Sequence, residues 1–375
     1  MEPAWAERVD GLKGLLSTNY ADSQADIHDP GAGLSAAPLS IRTNMTQPRF
    51  DVLAIGNAIV DVIATCDDGF LAEHALDKGA MRLVDTAEAE ALYANMGPGR
   101  EVSGGSAANT CAGLAALGSR CAFIGQVAND QLGSVFAHDI RSSGIFYATA
   151  PREGEPPSAR CLVLVTPDGQ RTMNTFLGAS QHLSAASIDP ELVADAKVLY
   201  LEGYLWDPDA PRTAMQGAIE CAREAGREVA FTLSDEFLLD RHGDDFRAMI
   251  GRGEIDILFA NEGEAMALTG ADDLEKAIEW LAPKLPVLVV TRSEKGALAI
   301  RGDERAEVPA EPVDKVVDTT GAGDSFAAGF LHGHVQGKSL KDCLTLGAVA
   351  AAEIISHYGA RPEANLTELV RERLG

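Results

Sequence analysis

The 375-residue chain has no apolar run approaching the roughly 20 residues needed to cross a bilayer, and it lacks the basic start and long apolar core of a secretory signal. These absences predict a soluble, cytoplasmic protein with no membrane partner. Positive charge is scarce: 31 Lys and Arg stand against 56 Asp and Glu, a formal net charge of -25. Such a field repels phosphate polymers, which excludes nucleic acid as a partner, so any phosphate must be held by local devices. The six cysteines, Cys66, Cys111, Cys121, Cys161, Cys221 and Cys343, show no paired-ligand spacing, which excludes a zinc site and a disulfide frame. A Walker loop is missing as well. Gly333 to Gly337-Lys338-Ser339 is one residue too short and follows a helical pattern, so it reads as a helix end. No GxGxxG follows the first strand, and His332 and His334 fall on different faces of a predicted helix, unsuited to a metal pair.

What is present is a long alternation. Residues 1–48 stand apart: Trp5 to Leu16 could form one short helix, but residues 22–48 are polar and punctuated by Pro30, Gly31, Gly33, Pro38 and Pro48. That composition predicts a disordered extension ahead of a single domain over 49–375. Apolar strands then recur at Phe50–Ile55, Cys121–Val127, Val198–Leu201, Val229–Leu233, Ile255–Ala260 and Pro286–Arg292, separated by helical stretches such as 86–96, 210–225, 244–251 and 344–356. Strand, polar exit and helix in repetition predict an α/β fold with a mostly parallel sheet covered on both faces. Between 145 and 176 the period changes to two, around a Pro167-Asp168-Gly169 turn. An antiparallel hairpin inside a parallel frame is a candidate lid.

The chemistry concentrates in Val316-Val317-Asp318-Thr319-Thr320-Gly321-Ala322-Gly323-Asp324-Ser325-Phe326. Gly321, Ala322 and Gly323 let the backbone fold into a nest of N–H groups at a helix start, an anion site. Asp324 beside it is either an acid in a helix's first turn or the group that aims a hydroxyl at a phosphate. Other candidates share the pattern of polar groups beyond a strand end, where open α/β sheets bind ligands: Asn57 and Asp61 after the first strand, and Asn261 with Glu264 after the Ile255–Ala260 strand. The last pair is either a helix start or a holder of hydrated Mg²⁺. Gly104-Gly105-Ser106 leading to Asn109 opens a small-residue helix that permits close approach to the backbone.

Taken in order, Gly56-Asn57 with Asp61, Gly104-Gly105 to Asn109, Gly125 with Asp130 and Gly133, Asn261 with Glu264, Thr291, and Asp318 to Asp324 resemble the PfkB, or ribokinase-like, kinases over about residues 50–370. Ala128 departs from that pattern, where many members carry glycine. The resemblance implies a three-layer α/β/α sandwich with a small β-sheet lid drawn from segments near 61–66, 98–104 and 145–178. It implies ATP as donor, Mg²⁺, a possible K⁺ requirement, small-molecule substrates, and leaves monomer and homodimer open. Asp324 would face the acceptor hydroxyl and Gly321 to Gly323 would form the anion hole. Asn57, Asp61, Gly104, Gly105, Ser106 and Asn109 would hold the acceptor, with Phe176 and Tyr204 stacking on a base. Asn261, Glu264, Thr291, Gly296, Thr320, Ala351 and Gly359 would serve the nucleotide, with Glu264 and Asn261 reaching Mg²⁺ through water. The Asn57 to Asp61, Tyr200 to Tyr204 and Asp256 to Glu262 stretches look most like adenosine kinases. The expected reaction is phosphorylation of the adenosine 5′-hydroxyl. The alternatives are a sugar kinase acting on ribose, fructose or 2-keto-3-deoxygluconate, and a non-catalytic sensor on the same fold.

Overall fold

The computed structural model describes residues 47–374, so the extension expected over 1–48 lies almost wholly outside the described residues; from Arg49 onward the chain forms one unit. Its strands are β1 (Phe50–Ile55), β2 (Ile59–Thr65), β3 (Met81–Leu83), β4 (Arg100–Gly104), β5 (Cys121–Ile124), β6 (Phe146–Tyr147), β7 (Ala159–Val165), β8 (Arg171–Phe176), β9 (Ala196–Glu202), β10 (Glu228–Thr232), β11 (Ile257–Asn261), β12 (Val287–Thr291), β13 (Ala297–Arg301) and β14 (Glu304–Val308). Nine make one sheet in the order β14-β13-β12-β11-β10-β9-β1-β5-β6. Its strands from β12 to β6 run parallel, and β13 and β14 add an antiparallel edge. Side-chain alternation splits each central strand between two cores. Val52 and Ala54 of β1, Val198 and Tyr200 of β9, and Val287 and Val289 of β12 enter one core. Leu53 and Ile55, Leu199 and Leu201, and Leu288 and Val290 enter the other. Burial on both faces is why these strands read as unbroken apolar runs.

The second, smaller sheet runs β3-β8-β7-β2-β4 and takes in most of the segments expected to form a lid. It differs from the expected segments in two ways. Phe146–Tyr147 pairs with β5 in the large sheet, and the short β3 joins the lid's edge beside β8. Three residues of β3, all exposed, carry too little alternation to be seen beforehand. A further difference lies at Glu236–Gly251, a helix that starts eight residues before the expected 244 because the Asp235 side chain accepts from the Phe237 N–H and caps it there.

Two helices matter most for function. The Ala322–Val335 helix lies against both the Ser106–Ala116 and Leu340–Ile354 helices, and small residues set the spacing. A Cβ on Gly113 would come within 2.8 Å of the Ala328 Cβ, and one on Gly329 within 2.3 Å of the Leu346 carbonyl oxygen. The opposite core is anchored by aromatic rings: Phe246 lies edge-on to Trp206 at 5.7 Å and 5.0 Å from Phe231. Truncating Phe246 to Ala is expected to lower the unfolding free energy by about 3–5 kcal/mol in urea titrations. A loss below about 1 kcal/mol would show that the ring cluster contributes little beyond its neighbours.

Candidate active site

The chain enters the Ala322–Val335 helix through Gly321, which takes a left-handed φ of 76° with no side-chain cap. The Ala322 N–H turns back to the Thr319 carbonyl at 3.2 Å and the Ser325 N–H bonds the Gly321 carbonyl at 2.9 Å. Among the described residues, the N–H groups of Gly321, Gly323 and Asp324 find no acceptor. Open donors at the positive end of a helix make an anion site. Of the three N–H groups expected to form an anion hole, those of Gly321 and Gly323 are open and that of Ala322 is spent on the turn, while the Asp324 N–H is open as well.

Asp318 holds the loop in that shape. Its carboxylate accepts from the Thr320 N–H at 3.1 Å, the Thr320 hydroxyl at 2.8 Å and the Gly359 N–H at 2.9 Å, and it pairs with Arg171 of β8. Arg171 also reaches the Thr320 hydroxyl at 3.3 Å and lies 5.9 Å from the Tyr358 ring. A lid guanidinium thus sits at the rim of the anion site.

Across the cleft, Ser106 Oγ donates to Asp324 Oδ1 at 2.6 Å and Asn109 Nδ2 donates to Oδ2 at 3.2 Å. The Asn109 Oδ1 is buried without a partner. Burial pushes the Asp324 carboxyl up from its usual range, against the pull of these two donors and of the Arg361 charge. Ser106, expected to hold substrate, instead orients the acid.

Asp61 stands on β2 over Gly104, where a Cβ would lie 2.6 Å from its carboxylate. Gly105 follows at φ 98°, its missing Cβ 2.1 Å from the Asn57 carbonyl oxygen. Burial pushes the Asp61 carboxyl up to about 6, opposed first by Arg361 and then by Arg171. Asn57, expected to hold the acceptor, is buried, donating from N and Nδ2 to Glu202 Oε1 at 2.7 Å each and accepting from Ser180 at 2.8 Å. Glu202 Oε2 accepts from the Ala107 N–H at 2.7 Å, doing for the uncapped Ser106–Ala116 helix what a cap residue would. Its carboxyl is pushed up to about 7 by burial.

Asn261 and Thr291, both expected to serve the nucleotide, are register partners at the ends of β11 and β12. Asn261 and Glu264 form a reciprocal capping box: the Asn261 N–H and Nδ2 donate to Glu264 at 2.9 and 2.8 Å, and the Glu264 N–H donates back at 2.8 Å. Burial, with Asp235 and Glu236 adding repulsion, pushes the Glu264 carboxyl up to about 7. Hard carboxylate oxygens in excess negative charge fit a hydrated Mg²⁺. Gly296 turns at φ 85° into β13, Gly359 reaches Asp318, and Ala351 is half-buried on the Leu340–Ile354 helix. Tyr204 is half-buried, 6.2 Å from Phe237, with Asp324 and Glu264 among the charges acting on it. Phe176 is a correction: it packs with Val84 and Ala89 inside the lid, 5.7 Å from the Arg160 guanidinium. Alternation along β8 puts it on the face opposite Arg171.

This arrangement can position an alcohol between an acid and a phosphate. Comparison with known proteins gives the same class, since residues 79–367 match the pfkB family carbohydrate kinases. The chain belongs to that family. It is therefore a phosphotransferase acting on an alcohol group of a nucleoside or sugar, from a family that uses ATP, typically with Mg²⁺. The fold is 49% identical to the adenosine kinase from Sinorhizobium meliloti, with a TM-score of 0.80 over 86% of this chain and 99% of that one. It is 48% identical to a probable sugar kinase from Rhizobium etli, with a TM-score of 0.81 over 87% of this chain and 99% of that one. Adenosine kinase of Saccharomyces cerevisiae is 26% identical over 84% of this chain and 96% of its own length.

Among the described residues, no helix is long and apolar enough to cross a membrane. Arg171, Glu202, Ser180 and Arg361 were not found from sequence; each acts across a distance in the chain that no local pattern marks.

Gly105→Ala is expected to abolish turnover, because its Cβ would collide with the Asn57 carbonyl at a φ that alanine avoids. Wild-type activity in that variant would refute the cleft geometry. The Asp61 carboxyl supplies a pH test. It is ionised and free to accept from hydroxyls above about 6 and protonated below, so acceptor affinity measured by calorimetry should weaken as pH falls through that value. Asp61→Asn should bind weakly with no such step.

Proposed function

We propose that the chain transfers the γ-phosphoryl of ATP to the 5′-hydroxyl of adenosine, giving AMP and ADP. The observation that carries the kinase step is Asp324, fixed by Ser106 and Asn109 beside three unpartnered N–H groups. Phosphoryl transfer is loose, so Asp324 need not be a strong base; its task is to orient the hydroxyl in line and take its proton late. The amides of Gly321, Gly323 and Asp324 meet the charge that grows on the transferred group. Asn109 Oδ1 and Asp61 are acceptors for ribose hydroxyls, and an analogue lacking those hydroxyls leaves them unpaired. Mg²⁺, held through water near Glu264 and Asn261, would supply charge neutralisation between the phosphates.

The preference for a nucleoside is supported by the lid. Ile63, Val163 and Met173 are register partners across β2, β7 and β8, on the same lid face as Asp61 and about 7 Å further along. An apolar row at that spacing covers a base, which a free sugar lacks. A second reading, a sugar acceptor, is favoured by the withdrawal of Phe176 from the cleft and by the Rhizobium etli neighbour.

ADP release measured with adenosine, cytidine, ribose, fructose and 2-keto-3-deoxygluconate decides between them. Adenosine should give the highest kcat/KM, and a free sugar exceeding it would overturn the nucleoside reading. Exchanging Na⁺ for K⁺ in the same assay tests the proposed monovalent-ion dependence. Asp324→Asn is expected to retain acceptor binding and lose about 10²- to 10⁴-fold in kcat; near-normal turnover would remove Asp324 from its role.

A further inference from the structure

Arg361 belongs to none of the motifs, yet its side chain joins the two halves of the cleft. Its backbone runs along the anion loop. Gly359, two residues earlier, donates to Asp318 at 2.9 Å, and Ala360 lies so close that a Cβ on Gly321 would be 2.5 Å from its own Cβ. From there the guanidinium crosses to the acceptor loop. Nε and Nη2 donate to the Ser103 carbonyl at 2.8 and 2.7 Å, Nη2 also to the Ser103 hydroxyl at 2.8 Å, and Nη1 to the Ala108 carbonyl at 3.0 Å. Ser103 and Ala108 bracket Gly104, Gly105 and Ser106, the segment that seats Asp61 and presents Ser106 and Asn109 to Asp324.

All three guanidinium nitrogens are spent on the short segment from the end of β4 to the first turn of the Ser106–Ala116 helix, and none lies in an ion pair among the described residues. A recessed cation without a carboxylate partner is costly unless its surroundings are negative. Here they are: Asp139, Asp61 and Asp324 act on it from the Gln131–Ser142 helix, β2 and the Ala322–Val335 helix. Burial pulls the guanidinium down from its usual range and these groups push it back up.

We propose that Arg361 is a positioning residue that ties the nucleotide-side loop at 318–321 and 359–360 to the acceptor-side loop at 103–109, so that nucleotide bound at the first sets the aim of Ser106, Asn109 and Asp324 at the second. The proposal rests on the kinase assignment and is independent of which acceptor is used. A planar fork is needed because one atom cannot reach the Ser103 and Ala108 carbonyls together, so lysine restores the charge without the tie.

The test measures coupling directly. In the wild type, ADP should slow amide hydrogen exchange at residues 103–109, and the affinity for acceptor should rise severalfold when ADP is present. Arg361→Gln and Arg361→Lys should both lose that protection and bring the affinity ratio to about 1, with kcat falling about 10- to 100-fold and the KM for ATP changing less than kcat. Lysine should restore only the acid limb of the pH profile, which glutamine shifts upward by withdrawing positive charge from Asp61 and Asp324. Folded variants that keep the coupling and wild-type kcat would overturn the proposal. If the variants fail to fold, the wild-type exchange experiment still decides: ADP that binds without protecting 103–109 overturns it. Because exchange requires no turnover, a wrong acceptor assignment leaves this result unaffected.

Discussion

The organising constraint is the placing of a carboxylate next to an anion site in a chain already rich in acid. Asp324 and a phosphate repel, and burial makes the repulsion stronger by removing water. The fold answers with fixed donors rather than with ion pairs. Ser106 and Asn109 hold the Asp324 oxygens from the next helix, and the backbone N–H groups of the helix start face the place a phosphate would take. Both depend on the close approach of two helices through Gly113 and Ala328, since a wider spacing would take Ser106 out of hydrogen-bond reach. Packing in the core and polarity in the cleft are therefore one problem, solved by small residues.

The same logic extends outward. Glu202 supplies the acceptor that the Ser106–Ala116 helix start lacks, and Asn57 links it to the turn between β1 and β2. A buried carboxylate raised to about 7 is a costly cap, and its use suits a site that must be rigid where the ligand lies. The groups that hold the Ser106–Ala116 helix start in place come from β9, from the turn between β1 and β2, and from Arg361.

Much of this was readable beforehand, and the limits have physical causes. Strands β1, β5 and β9 to β12 showed themselves because burial on both faces leaves few polar positions, whereas β6 is two residues long and the edge strand β14 is mostly exposed, and neither they nor β13 were marked. The lid hairpin was visible in its period of two. What escaped was either too short to have a period, as with β3, or defined only by distant partners. Nothing local to Glu202 announces that its oxygens end on Asn57 and Ala107. Phe176 was misplaced for the same reason, since an aromatic at a strand end is equally suited to either face until the register fixes the side.

One buried ion pair joins the smaller sheet to the core beside the Asp318 loop. Arg171 belongs to the lid and Asp318 to the core, and their ion pair is buried. Swinging the flap outward must rehydrate two charges at once, and an incoming phosphate offers the guanidinium a competing anion in the same spot. The clasp and the reactant thus bid for one hand. Loss of the Arg171 guanidinium would therefore leave Asp318 a buried carboxylate without its cation, and the loop from 318 to 321 would lose its anchor.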